Sequence, residues 1–523
     1  MPLNAQASIS KAKKFVQDYS KASITLASDL ESELAALRTL LHNAMLLEHA
    51  TIPPYLTMLY SIDDDVQWRI LEVVRSVVVE EMLHLTLSGN VLNAIGGKPN
   101  IDSPDFMPNY PSALPYGLDG IKVSLLAFSK AAVKQGLDIE QPRDVDVKTA
   151  HAGDVSSMNI SEFYHYIQAR LCAAVARFGE SAIFCGNPAH QIPPKAFYYD
   201  GSGGVIEVRN LLSAIRALQM ICDQGEGAND TIWTGKDSAR EAGFRMVAHY
   251  FRFNELHEER LYKEGDTQQS GPTGERLEVP WHRAVNTLPN AKLADYPPGE
   301  VHDAVAAFNV QYCRILAMLQ AAFTGRPELL IKSVVAMCDL RDSVRRLMAN
   351  PFPGKPGLFS SPTFEYVATS PSLAIRGGGC PFSGASAAGS NQQTIDTLNQ
   401  AFATGDLQLA LSCLSEDVVW DISGPPSVPY AGVFYGHDGY SRFWSLLNDT
   451  VRFVSAGSVK TFFSDNEAMA YGGEQGFVQS NNVPYHYDWA ILYRFNSAHK
   501  ITLIRQYFNP SRIDAAIHGQ SKA

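Results

Sequence analysis

Apolar positions recur at three- and four-residue spacing through the first two thirds of the chain. The pattern runs through "LESELAALRTLLHNAMLLEHATIPPYL", "VQWRILEVVRSVVVEEMLHLTLSGNVLNAI", "SEFYHYIQARLCAAVARFG", "VRNLLSAIRALQMICDQ" and "EVHDAVAAFNVQYCRILAMLQAAF". That period belongs to helices that bury one face. Pro- and Gly-rich loops such as "GGKPNIDSPDFMPNYPSALPYG" separate them. The pattern therefore predicts an all-α helical bundle with long loops over residues 28–368, behind a polar N-terminal extension, residues 1–27. Helical periodicity stops where Gly, Ser and Pro accumulate, and residues 369–391 read as a linker. Beyond it a helical stretch, "TIDTLNQAFATGDLQLALSCL", gives way to short alternating segments such as "DVVWDIS", "YHYDWAILYRFN" and "KITLIRQYFNP". A helix followed by antiparallel strands predicts a separate α+β domain over residues 392–520.

Composition narrows the classes of function. The chain has 523 residues and a net charge of -11, and it shows no clustered Lys/Arg patch of the kind that contacts phosphates, so nucleic acid is not an expected partner. No apolar run is long enough to span a bilayer: "AVAAFNVQYCRILAMLQAAF" is interrupted by Asn309, Gln311 and Arg314. The 7 cysteines are scattered without CxxC spacing, and the N-terminus lacks the apolar stretch of a secretory signal. A reduced, cytoplasmic protein is the expectation.

Within the second apolar helix, "VVVEEMLHLTLSGNVLNAIGG" carries Glu80, Glu81 and His84 in its middle. Burying a carboxylate without a partner costs several kcal/mol, so something must compensate these charges. Glu81 and His84 lie one turn apart on one face. Glu48, in the preceding apolar helix, comes opposite Glu81 if the chain makes an antiparallel hairpin near "SIDDDVQ". Two buried carboxylates facing each other repel unless a cation lies between them. A Glu on one helix and a Glu-x-x-His on the next is half of the dinuclear scheme used in carboxylate-bridged four-helix bundles. For the second half the candidates are Glu162, which itself forms a pair with His165, then Glu226 and His249; Glu255 and His257 compete with these. Glu80, about 100° further round, is expected to reach solvent or a neighbouring side chain. Tyr164, Tyr166 and Tyr250 are candidates either for lining the pocket or for core packing.

The ordered motifs "EHATIPPYLTMLYSI", "VVVEEMLHLTLSGNVLNAIGGKP", "ISEFYHYI", "QGEGAND", "HYFRFNEL" and "PTFEYV" resemble the ferritin-like domain of the iminophenyl-pyruvate dimer synthase family, across roughly residues 30–368. Members of that family take part in assembling bis-indole natural products. The resemblance implies a ferritin-like bundle with Glu48, Glu81, His84, Glu162, Glu226 and His249 as metal ligands. From the residues themselves, carboxylate-rich ligation suits hard ions, iron with manganese as the alternative. Two such ions could bind O2 as co-substrate and oxidise a small organic molecule.

The later stretch "TIDTLNQAFATGDLQLALSCLSEDVVWDISGPPSVPYAGVFYGHDGYSRFWSLL", with "IRQYF" after it, resembles the SnoaL-like branch of the NTF2-like fold. The resemblance implies a curved sheet over a conical pocket, used by some relatives for catalysis and by others for binding alone. Candidate acid–base groups there are Asp421, Asp488 and His437, with the bland alternative that an Asp simply holds Arg505. The expected function is thus a metal-dependent oxidase or oxygenase of specialised metabolism whose C-terminal domain binds or converts the product. The partners expected are a small-molecule substrate and a second copy of the chain in a homodimer. The alternatives are a non-redox cyclase, isomerase or hydrolase worked by the C-terminal pocket, and a metal-binding protein without turnover.

Overall fold

A computed structural model of the protein describes residues 3–19, 24–62, 68–142, 155–194, 204–227, 231–234, 247–369 and 387–519, apart from 423, 426, 457–459, 464–465 and 509. The chain divides into two units, one running to Ser370 and the other from Pro371. Most of the expected linker, 370–386, lies outside the described residues, as does the expected hairpin turn at 63–67.

The first unit is helical. Helix α1 (Leu3–Tyr19) covers much of the expected N-terminal extension and packs on α5 (Ile160–Phe178) and α7 (Leu211–Gly225), with Lys11 Nζ 2.7 Å from Asp223. The two long helices α2 (Leu30–Ser61) and α3 (Trp68–Ala94) pack along each other. Asp29 caps α2 by accepting from the Ser32 amide at 2.9 Å. Between α3 and α5 lie the two-residue strands β1 (Ser112–Ala113) and β2 (Lys122–Val123) and the short α4 (Lys130–Ile139). A single turn, α6 (Glu180–Ile183), precedes α7; α8 (His249–His257) follows it and packs on α4 and α3. The pair α9 (Glu300–Ala322) and α10 (Leu329–Met348) closes the unit.

Two local features fix α2 and α3 where function depends on them. Pro53 and Pro54 sit inside α2, one turn beyond Glu48, and deprive the carbonyls of His49 and Ala50 of their helical donors. The buried Tyr110 hydroxyl donates to the Ala50 carbonyl at 2.9 Å and replaces one of them. In α3, Gly89 lets the Phe323 ring approach: a Cβ at that position would meet the ring at 2.6 Å. The next residue, buried Asn90, exchanges two hydrogen bonds with the backbone of Ile192 and donates a third to Ile206, tying a loop to the helix.

The second unit opens with α11 (Ala387–Thr404) and α12 (Leu407–Ser412). Its sheet comprises β3 (Leu414–Ile422), β4 (Gly432–Tyr435), β5 (Val451–Ala456), β6 (Lys460–Phe463), β7 (Glu467–Val478), β8 (Pro484–Phe495) and β9 (Ile501–Phe508). The strand order is β4-β3-β9-β8-β7-β5 with β6 also on β7; β3 and β9 are parallel and the other pairs antiparallel. Helix α13 (Gly436–Thr450) packs on β3, β4 and β5, and α14 (Ser511–Ile517) on β8 and β7. The α+β expectation and the observed elements agree. An aromatic core of Trp420, Tyr440, Phe443, Tyr487 and Phe508 joins helices to sheet.

Replacing Tyr110 with Phe removes the donor to the Ala50 carbonyl while keeping the ring. We expect a loss of about 1–3 kcal/mol, the cost of a buried unsatisfied acceptor, read as a lower urea midpoint of the helical circular-dichroism transition. An unchanged midpoint would show that the carbonyl had found another donor.

Candidate metal centre

Three helices and the end of a fourth converge on a buried polar cluster. Glu48 comes from the middle of α2, Glu81 and His84 from α3, His249 from the first turn of α8, and Glu140 from the C-cap of α4. All five are at most 7% exposed. They form two groups that could each hold a metal ion, Glu48–Glu81–His84 and Glu81–Glu140–His249. Glu81 belongs to both.

The separations fit an ion in each group. Donor atoms about 2.1 Å from a common ion lie about 3.0–4.2 Å from one another, depending on the angle between them. His84 Nδ1 is 3.3 Å from Glu48 Oε2 and 3.8 Å from Glu81 Oε1. His249 Nδ1 is 3.0 Å from Glu81 Oε1 and 3.5 Å from Glu140 Oε2. One oxygen, Glu81 Oε1, thus faces both imidazoles, whose rings lie 5.4 Å apart and nearly parallel. Although His249 Nδ1 is surrounded by carboxylates, it is a buried nitrogen with no hydrogen bond of regular geometry. An imidazole lone pair aimed at an ion has that character.

Every member of the set is held from behind. Tyr164 donates to Glu48 Oε1, Thr51 to Glu81 Oε2 at 2.9 Å, and Tyr55 to Glu140 Oε1 at 2.7 Å. Each carboxylate therefore has one oxygen bonded to protein and one turned to an imidazole. His84 Nε2 meets Gln224 Oε1 at 2.9 Å, and His249 Nε2 meets Glu80 Oε2 at 2.8 Å. Since both partners are acceptors, both imidazoles carry their proton on Nε2 and keep Nδ1 for the centre. Glu80 is itself gripped by Arg252, 2.9 Å away, whose guanidinium also binds Ser76 and the Val247 carbonyl.

The electrostatics are those of a site whose charge awaits a cation. Burial pushes the Glu48 carboxyl up to about 7, and burial with the neighbouring Glu48 raises that of Glu81. Burial pulls His84 down; His249 is also penalised by burial, but the surrounding carboxylates of Glu140, Glu80 and Glu81 carry it well above the ordinary imidazole range. A small cavity opens beside the cluster, bounded by Leu47, Ile139, Ile160, Tyr164, Ile221 and Glu226. Glu226, the C-cap of α7, is raised to about 8 by burial.

The six residues expected as ligands are thus placed unequally. Glu48, Glu81, His84 and His249 come together, and Glu226 lines the cavity. Glu162 does not join them: its carboxylate accepts from the Asn159 amide at 2.9 Å, closing the capping box that starts α5. The place expected for it is taken by Glu140. His165 binds the Ser161 carbonyl and lies beside Phe15, while Glu255 accepts from the Tyr262 amide. Glu80 does not reach solvent; of the two alternatives, the neighbouring side chain is the one found. Glu140 escaped the sequence reading because it stands in "LDIEQPRD", outside any Glu-x-x-His pattern and after a helix of only 10 residues. Its signal was a carboxylate directly after the apolar face of that helix.

In the second unit, Asp421 Oδ2 accepts from Arg505 Nε at 2.8 Å across the β3–β9 register, the bland alternative considered for it. Asp488 is exposed on β8, and His437 opens α13, half-buried. The structure does not bring these three together in a described cluster.

Comparison with known proteins places the first unit. Residues 41–258, within the helical unit, match the family model for ferritin-like proteins. Dichlorochromopyrrolate synthase from Lentzea aerocolonigenes is 26% identical over 332 residues, or 58% of this chain, while the aligned part covers only 30% of that protein's length. Among solved structures, a ferritin-like protein from Caulobacter vibrioides is 20% identical and covers 60% of this chain and 94% of its own, with a TM-score of 0.40. An NTF2-like protein from Burkholderia xenovorans is 23% identical and covers 25% of this chain and 96% of its own, with a TM-score of 0.23. No helix among the described residues is long and apolar enough to cross a membrane.

The raised Glu48 carboxyl gives a pH dependence with a definite sign. The metal-free native state binds a proton that the unfolded state has released between about pH 4.5 and 7, so stability is fully present below that window and is lost as pH rises through it. The loss is about 3 kcal/mol at most, at about 1.4 kcal/mol per pH unit. Urea unfolding of chelator-treated protein at pH 5 and 7.5 checks this, and Glu48→Gln should flatten the difference.

Proposed function

We propose that the ferritin-like unit is a dinuclear-metal oxidase or oxygenase acting on a small organic substrate of specialised metabolism, and that the C-terminal unit binds or further converts the product. The observation that carries the first part is Glu81 Oε1 standing between two buried ligand groups. Iron is the metal best suited to the donor set, with manganese as the alternative: three carboxylates and two imidazoles are hard or borderline donors. The Cys222 thiol, which also lines the cavity, is kept protonated by burial and offers no thiolate. The carboxylates of Glu48, Glu81 and Glu140 would offset most of the charge of two divalent cations.

Bound there, two such ions would supply O2 activation and electron transfer. The chain's own part is to hold and to shield. Glu81, shared by the two groups, would serve both ions, Glu48 with His84 and Glu140 with His249 would hold one each, and Tyr164, Thr51 and Tyr55 fix which oxygen of each carboxylate faces inward. Leu47, Ile139, Ile160 and Ile221 give the cavity an apolar wall that suits an organic substrate and limits water. Glu226, neutral up to about pH 8, is placed to give or take a proton at its carboxyl beside that space. The resemblance to a biosynthetic enzyme, dichlorochromopyrrolate synthase, supports a role in specialised metabolism.

Metal analysis of protein purified without chelators tests the assignment. We expect about two ions of iron or manganese per chain. Glu81→Ala with His84→Ala should abolish binding and Glu140→Gln should reduce it, whereas Glu162→Gln should leave the metal content unchanged and cost only helix-cap stability, about 0.5–2 kcal/mol. Metal retained by the double variant, or lost with Glu162, would overturn this ligand set. Substrate-dependent O2 consumption by the loaded enzyme, absent from the double variant, separates an oxidase from a binding protein.

A further inference from the structure

The two groups of the candidate centre are built on unlike supports. Glu48, Glu81 and His84 stand on α2 and α3, helices of 32 and 27 residues that pack along each other. Glu140 and His249 come instead from α4 and α8, which have 10 and 9 residues. A helix shorter than about 12 residues is marginal by itself, so the placing of Glu140 and His249 rests on what α4 and α8 touch. The two short helices pack on each other, and α8 is tied to α3 by Arg252, which binds Glu80 and Ser76.

One contact joins α4 to α8 close to both ligands. Gly136 is one turn before Glu140, whose amide donates to the Gly136 carbonyl at 3.0 Å. Phe253 is one turn after His249. A Cβ on Gly136 would meet the Phe253 ring at 2.9 Å, so the glycine lets α4 close on the ring. Gly136 lies inside α4, where glycine weakens a helix and alanine would suit it better; the ring is what an added side chain would strike. The same ring, at 0% exposure, packs 5.2 Å from that of Tyr55, whose hydroxyl holds Glu140 Oε1 at 2.7 Å. From the helix that carries His249, Phe253 thus touches both the helix that carries Glu140 and the side chain that orients it. The 3.5 Å between His249 Nδ1 and Glu140 Oε2 depends on that wedge.

We propose that Gly136 and Phe253 are positioning residues for the metal position Glu81–Glu140–His249, and that this position is the weaker of the two and fills after Glu48–Glu81–His84. A shift of α4 against α8 changes the separation of Glu140 and His249 directly, whereas the first group has no residue on either short helix. Glu81, common to both groups, is carried by α3 and held by Thr51 of α2, so it does not depend on the short pair. This ranking rests on the metal-centre reading above, since it orders the two positions which that reading assigns.

The test is an anaerobic titration of the chelator-treated full chain with ferrous ion, the bound metal being counted after equilibrium dialysis. The native chain should take up about two ions in two resolved steps. Gly136→Ala should leave the first step in place and weaken the second about 10–100-fold. Phe253→Leu should weaken the second step as well, and it carries the test if the Ala variant does not fold. In the double variant the added methyl meets no ring, so Gly136→Ala should cost nothing further once Phe253 is Leu; independent losses of packing would add a second penalty instead. Two ions taken up by the native chain in a single step, a second step unchanged in both single variants, or both steps lost together from a variant with native circular dichroism overturns the proposal and leaves the metal-centre reading standing. No ion bound by the native chain sinks that reading and this ranking with it.

Discussion

The helical unit depends on one constraint, that three carboxylates and two imidazoles be kept together away from water. Left alone, such a cluster would drive its own groups neutral, as the raised Glu48 and Glu81 carboxyls show. The fold meets the constraint by giving each member one protein bond on the side away from the centre. Hydroxyls serve the carboxylates, and acceptors serve the imidazoles. Of the inward atoms, His249 Nδ1 has no hydrogen bond of regular geometry, and the spacing within the two groups could accommodate a metal ion in each. A metal would relieve the repulsion that the scaffold maintains.

Much of the surrounding structure can be traced to that need. Tyr55 and Thr51 are on α2 with Glu48, so one helix carries both a ligand and the donors that orient two others. The same helix tolerates Pro53 and Pro54 because Tyr110 satisfies a carbonyl they release. On α3, Gly89 and Asn90 lock the helix against Phe323 and the backbone of Ile192 and Ile206 about two turns from His84, which limits how far the Glu81–His84 pair can slide.

How much of this was legible in the sequence follows the kind of signal each residue leaves. Helical periodicity marked the bundle, and the period change near residue 370 marked the α+β unit, because both are long patterns that no single contact can override. Glu81 and His84 stood out as charges in an apolar helix, and Glu48 as their facing partner. Glu140 did not, since its place in the cluster, at the end of a short helix, is set by where α4 packs on α8, a tertiary fact. Glu162 misled for the converse reason: Asn-x-x-Glu at a helix start is also a capping box, and that local use prevailed.

Glu80 shows why the outer shell matters as much as the ligands. A third glutamate beside Glu48 and Glu81 would add repulsion to a centre already overloaded with negative charge. Arg252 prevents this: buried to 1% exposure, it pairs with Glu80 and leaves a compact ion pair of no net charge. Glu80 can then act on His249 as a directed acceptor, fixing the proton on Nε2. A buried ion pair contributes little to stability by itself, so its retention at this position is better explained by the orientation it imposes on His249. The charge that first looked like a misfit in an apolar helix is the element that decides which nitrogen His249 presents to the centre.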